Sequence, residues 1–250
     1  MKNHHAFTLA EVLITLGIIG VVAAMTIPTL IANTNSSKFA SQFKKTLSQL
    51  SQAALMAQSQ WDANYGTLDG LKDEDSPATC DKDDDISKGN NTICGFYNAT
   101  LSGVRFLDAS GIAALSSNGK TYKVTGKGGL SDLESFTGYV GFLLADGSLV
   151  VTPDTLHDCT IEGQLQTSHM QTGGALANCI GWIDVNGAAL PNKEVSCSKS
   201  DETTGLEVAV CSVSKDPKNM TDIFPVVFHD QVVEPATNAA KAILNGANKG

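Results

Sequence analysis

From Phe7 to Pro28 the chain is apolar apart from one charge, Glu11. A run of that length suits a membrane span, which needs roughly 20 apolar residues. A carboxylate at mid-bilayer costs about 2.5 to 3.5 kcal/mol, so an acid placed there calls for a cationic partner and marks a functional position. Three other groups of residues have types and spacings that could do chemistry. Six cysteines, Cys80, Cys94, Cys159, Cys179, Cys197 and Cys211, all follow the apolar run. Asp81-x-Asp83-x-Asp85 sits in an acidic tract, and Asp184, Asn186 and Asp222 are oxygen donors of the kind calcium takes. His157, His169 and His229 are scattered, and there is no Gly-x-Ser-x-Gly elbow, glycine-rich phosphate loop or His-Glu-x-x-His. The pattern therefore points away from an enzyme.

Each group has a simplest reading. An even cysteine count in an exported chain reads as disulfides, although six cysteines allow 15 connectivities. Local pairing, Cys80–Cys94, Cys159–Cys179 and Cys197–Cys211, closes loops of 14 to 20 residues, each worth about 3 kcal/mol in the chain-entropy picture. Zinc is disfavoured because no Cys-x-x-Cys occurs. The Asp81 tract fails as a calcium loop, because Ile86 stands at its glycine position and Thr92 at its bidentate glutamate position. It reads as a solvated loop pinned by Cys80 and Cys94.

The N-terminus resembles type IV pilins and type II secretion pseudopilins at Phe7, Thr8, Leu9 and Glu11, with Gly20 and Pro28 further on. Ala6 stands where that family prefers Gly before the cut. The resemblance implies that a prepilin peptidase and N-methyltransferase cleaves between Ala6 and Phe7 and methylates the new amine. That amine is a cation near neutral pH. Glu11 is then its natural partner and registers one subunit against the next. An ordinary secretory signal cut after Ala24 is the alternative; Glu11 and the helical pattern continuing past Ala24 speak against it. A second, shorter resemblance covers Trp182-Ile183-Asp184-Val185-Asn186-Gly187, Pro191-Asn192 and Asp222-x-Phe224, which is similar to pseudopilin heads apart from a long insertion before Asp222. Some heads of that family bind calcium in this neighbourhood. Turn chemistry accounts for Asp-Val-Asn-Gly as well, and the turn is the reading preferred.

The elements that must position these residues follow from periodicity and punctuation. Residues 1–6 form a leader whose Lys2 keeps the N-terminus cytoplasmic. Residues 7–32 form the membrane and assembly helix, in which Gly17 and Gly20 permit close helix approach and Pro28 kinks or frays it. Asn33 to Ser37 is a candidate bend. Residues 33–65 form an amphipathic half, with Phe39, Phe43, Leu47, Leu50, Ala54, Ala57, Trp61 and Tyr65 on one stripe. Residues 66–235 form a globular head of short strands. Its hairpins are Tyr139–Leu144 to Leu149–Val151 across Asp146-Gly147, and Phe224–Phe228 to Gln231–Val233, with Pro225 at an edge or a strand start. Ser131 to Glu134 has capping-box spacing. Residues 236–250 read as a flexible tail, a frayed helix or disordered.

The expected fold is α+β: a long N-terminal helix packed on a small antiparallel sheet with disulfide-pinned loops. The net charge of −9 argues against nucleic-acid binding. Two functions remain. One is a structural subunit that polymerises through its apolar helix, anchored in the inner membrane with its head in the periplasm or outside the cell. Its partners are copies of itself and other pilin-like subunits. The other is a membrane-tethered exported binding domain, an adhesin or DNA-uptake component, for which the helix is only an anchor.

Overall fold

The computed structural model describes residues 8–71, 80–81, 83–125, 135–160, 179–197, 213 and 220–246, without the side chains of 32 and 33. Helix α1 spans Leu9–Trp61, 53 residues. The candidate bend at Asn33–Ser37 does not occur, and Pro28 lies inside the helix without ending it. Hydroxyls that compete with the backbone in other settings bond back onto it here: Thr34 Oγ1 donates to the Leu30 carbonyl at 2.9 Å and Thr26 Oγ1 to that of Val22 at 3.0 Å. The helix stops at Trp61, short of the expected Tyr65. Asp62 turns into the left-handed region (φ 56°) and its N–H caps the Ala57 and Gln58 carbonyls. Tyr65 leaves the helix because its ring belongs to the core. It is fully buried, and its hydroxyl bonds the Leu50 carbonyl at 3.2 Å and Tyr97 Oη at 3.1 Å.

Beyond α1 the order is α2 (Ile93–Thr100), β1 (Arg105–Leu107), α3 (Ala109–Ala113), β2 (Ser116–Ser117), β3 (Lys120–Thr121), β4 (Tyr139–Leu143), β5 (Leu149–Pro153), β6 (Ile180–Asp184), β7 (Ile223–His229), β8 (Val232–Pro235) and α4 (Asn238–Leu244). Six strands form one antiparallel sheet in the order β1-β4-β5-β6-β7-β8, and β2 pairs β3 separately. Alternation along the strands sends Phe142, Val150, Ile183 and Phe224 to the face that packs on α1. It sends Leu149, Val151, Trp182 and Ile223 to the other face, under Ile112, Tyr122 and Phe136. The fold is α+β, and both faces of its sheet are covered. That is why β5 and β7 are buried at every residue rather than at alternate ones.

Two expectations are corrected here. Pro225 is on neither an edge nor a strand start: it lies third in β7, between β6 and β8, opposite Trp182. Its carbonyl accepts the Ala236 N–H at 2.9 Å, just past the end of β8. Its missing N–H faces that same side, where the ladder ends, so no interior bond is lost. Nor are residues 236–246 of the expected tail free. Thr237 caps α4 through the Ala240 N–H, and Ala239, Ala240 and Ile243 are buried. The capping-box segment 131–134 lies outside the described residues.

Disulfides join Cys80 to Cys94 and Cys159 to Cys179, as local pairing predicts. Cys197 is also disulfide-bonded, while Cys211 lies outside the described residues. Glycine is required at Gly181, where a Cβ would run into the Val151 carbonyl of the adjacent strand and crowd the Phe228 ring. Gly181→Ala should therefore destabilise by about 1 to 3 kcal/mol or more, because the obstacle is backbone. Urea unfolding of the purified chain measures this, and an unchanged midpoint would refute it.

Candidate assembly site

The first half of α1 stands clear of the head. Its most apolar stretch has none of its residues buried, and Leu9, Leu13, Ile14, Leu16, Ile18, Ile19, Met25 and Leu30 are all exposed. The helix is apolar around its whole circumference and long enough to cross a membrane. Water does not tolerate such a surface, whereas lipid or neighbouring helices do. The one charge of this apolar half sits at its start. Thr8 is the N-cap, and its Oγ1 accepts the Glu11 N–H at 3.3 Å. In return Glu11 Oε2 accepts from the Thr8 N–H and the Thr8 hydroxyl, each at 2.8 Å. This is a capping box. It places the carboxylate on the first turn, where the helix dipole also favours a negative charge. Thr8-x-x-Glu11 has the sequence signature of such a box, so this role for Thr8 was legible and the sequence reading missed it.

The other residues expected to serve processing and assembly fall as follows. Ala6 and Phe7 lie outside the described residues. A Cβ added at Gly17 or Gly20 meets nothing within 4 Å, so the chain's own fold makes no use of their small size. Residues 1–27 match the family model for the prokaryotic N-terminal methylation motif. The chain carries the type IV pilin and pseudopilin signature. Within that pilin-type segment, Glu11 is the only charge the structure shows on the exposed apolar helix. No curated protein and no solved structure matches the chain.

The oxygen donors Asp184, Asn186 and Asp222 come together at the opposite end of the chemistry, in the closing loop of the sheet. Asp184 ends β6 and is fully buried; its Oδ1 accepts the Asn186 N–H at 3.2 Å and its Oδ2 the Tyr122 hydroxyl at 3.0 Å. Asp222, also fully buried, accepts the Lys193 N–H at 2.7 Å and the Asn192 N–H at 2.9 Å. The carboxylates thus clasp the loop that carries Asn192 and Lys193 to the sheet. Tyr122 and Lys193 are the members that sequence reading missed, because no local pattern ties either one to a distant carboxylate. All four carboxylate oxygens already accept a bond from the protein. Asn186 Oδ1, buried without a hydrogen-bond partner, is the one donor left over for a cation. The other close grouping among the described residues, Cys80, Asp84 and Cys94, is spent on a disulfide.

Burial pushes both carboxyls up, Asp222 to about 6, and the charge of Asp222 raises Asp184 further. A raised carboxyl contributes stability that is whole below its unfolded value of 3.8 and is lost as pH rises through the folded value. His229, held above 6.5 by Glu234 and Asp230, extends the loss to higher pH with the same sign. The melting temperature is therefore expected to fall from pH 5 to pH 8. Asp184→Asn should flatten the part of the fall that ends near 6, since one charge of the pair is gone. A titration of melting temperature against pH in both proteins checks this.

Proposed function

We propose that the chain is a pilin-type structural subunit. It is cut between Ala6 and Phe7, methylated on the Phe7 amine, and held in the inner membrane by residues 7–32 with its head on the far side. It then polymerises through α1. The prepilin peptidase and N-methyltransferase acts first, and copies of the chain and related subunits are the later partners. The observation that carries this reading is Glu11, one capped carboxylate on the exposed apolar half of α1. The freed amine of a neighbouring subunit supplies the cation it lacks, and low-dielectric surroundings strengthen the pair. The head segment from Trp182 to Asn192 favours a secretion pseudopilus over a surface pilus. Mass spectrometry of the mature protein from its host is the test. A methylated N-terminal Phe7 supports processing, while an intact Met1 or a start at Met25 rejects it.

The acidic pair is read as a loop clasp. Millimolar calcium is accordingly expected to leave the melting temperature unchanged, and a rise of several degrees would assign Asp184, Asn186 and Asp222 to a cation instead.

A further inference from the structure

We infer that the cavity lined by the β2–β3 hairpin and residues 190–192 binds an acidic peptide segment that carries an apolar residue. The site adds to the function proposed above and does not depend on whether the chain polymerises. The cavity measures about 780 Å³, within the range of ligand sites. Asn118 and Gly119, at φ 52° and 74°, make the tight turn that joins β2 to β3 and sets Lys120 directly behind it. Lys120, Thr121 and Lys123 line the cavity from this side, and Leu190 and Pro191 from the loop after β6.

The lining holds two cations and no acid. Residues 109–125 and 185–193, which supply it, contain no Asp or Glu, in a chain that has 26 of them. Local charge is thus opposite to the net charge of −9, and an anionic ligand is drawn to this place rather than to the rest of the head. Lys120 and Lys123 are exposed, and Lys120 makes no ion pair among the described residues. Beside them Leu190, 41% exposed, and Pro191 offer an apolar surface. Carboxylates that meet the lysines and an apolar side chain that covers Leu190 together describe an acidic peptide.

The two sides are held in place by the fold itself. The Thr125 N–H and hydroxyl both donate to the Asn192 carbonyl, at 3.1 and 3.2 Å, and the Glu194 N–H donates back to the Thr125 carbonyl at 2.7 Å. The Tyr122 hydroxyl is fixed on Asp184. A site built in advance spends little of its binding energy on ordering. Asp184 and Asp222 hold the clasp behind it, and neither lines the cavity. A nucleic acid strand is the competing macromolecule. It needs an exposed aromatic face for its bases, and Tyr122, the one aromatic residue of the lining, is 3% exposed. A small inorganic anion leaves Leu190 and Pro191 unused.

Fluorescence anisotropy tests this with the full chain in detergent and a labelled peptide of alternating aspartate and leucine. The peptide should bind at low salt, and the same peptide with lysine in place of aspartate should not. Affinity should fall about tenfold or more in Lys120→Glu with Lys123→Glu, and likewise on raising salt to about 0.5 M. Lys120→Arg with Lys123→Arg should bind as the parent does. Leu190→Ser should weaken binding roughly threefold to tenfold. If the double glutamate variant melts early, Lys120→Gln alone should still weaken binding by about threefold or more. Four results would each overturn the inference: no binding at millimolar peptide, binding that the lysine variants leave unchanged, equal competition by inorganic phosphate, or tighter binding of a single-stranded oligonucleotide. None of these touches the polymer reading, and a mature chain that starts at Met25 removes that reading while leaving this site.

Discussion

Glu11→Ala is expected to leave the protein in the membrane fraction and to abolish assembly. Removing the carboxylate also removes a desolvation cost, smaller than the about 2.5 to 3.5 kcal/mol of a mid-bilayer acid because Glu11 sits on the first turn, so insertion does not suffer. The capping box with Thr8 is lost as well, at about 1 kcal/mol of local helix stability, in a helix of 53 residues that frays little for it. The large effect falls on the partner. An amine buried between subunits and stripped of its counter-ion costs about 3 to 5 kcal/mol, which is more than a hundredfold in each association step. Sheared filament from equal amounts of membrane-bound parent and variant measures it. Glu11→Asp, which keeps the charge on a shorter arm, should fall between the two. Filaments of normal length from Glu11→Ala would remove the role assigned to this carboxylate.

The second large effect concerns how the helix holds its head. Phe43 is fully buried and stacks on Phe224 of β7, with ring centroids 4.3 Å apart and planes 17° from parallel. Around it Leu50, Ala54 and Ala57 meet the same face of the sheet, all fully buried. Phe43→Ala should cost about 3 to 5 kcal/mol, combining lost transfer energy with a cavity that two flanking secondary structures cannot close. Leu55→Ala, on the exposed face, should stay within about 0.5 kcal/mol and serves as the control. Urea unfolding of the full chain in detergent gives both numbers. Equal midpoints for the two variants would mean that α1 is not anchored through its Phe43 stripe. Because that stripe joins the apolar helix to the head, its loss should also lower the amount of subunit available for assembly.

The residues legible in advance share one property: their signal is local. An apolar run with one acid, a stripe of period 3.6 from Phe39 to Trp61, and the Asp146-Gly147 and Asn186-Gly187 turns are each written within a few neighbouring positions. The hairpin of β4 and β5 and the strand β6 follow directly from them. Two of the local disulfide pairings were legible for the same reason, since short loops close at little entropic cost.

What tertiary structure decided lies between distant segments. The end of α1 was set by Tyr65, whose ring is held by Phe96 and Phe228 and whose hydroxyl is held by Tyr97, so the periodic stripe ran past the true stop. The interior place of Pro225 depended on where β8 ends, which nothing within β7 records. The small residues of α4 looked like a loose tail because alanine reveals a packing surface only when the opposing wall is known. Asp184 and Asp222 meet across an insertion, with Tyr122 from a third segment completing the clasp. Sequence alone determined the long apolar helix and its charge, because periodicity and composition act along the chain. The covered sheet, the buried acids and the anchoring of the helix were settled only in three dimensions, because burial is a property of neighbours that the chain brings together from far apart.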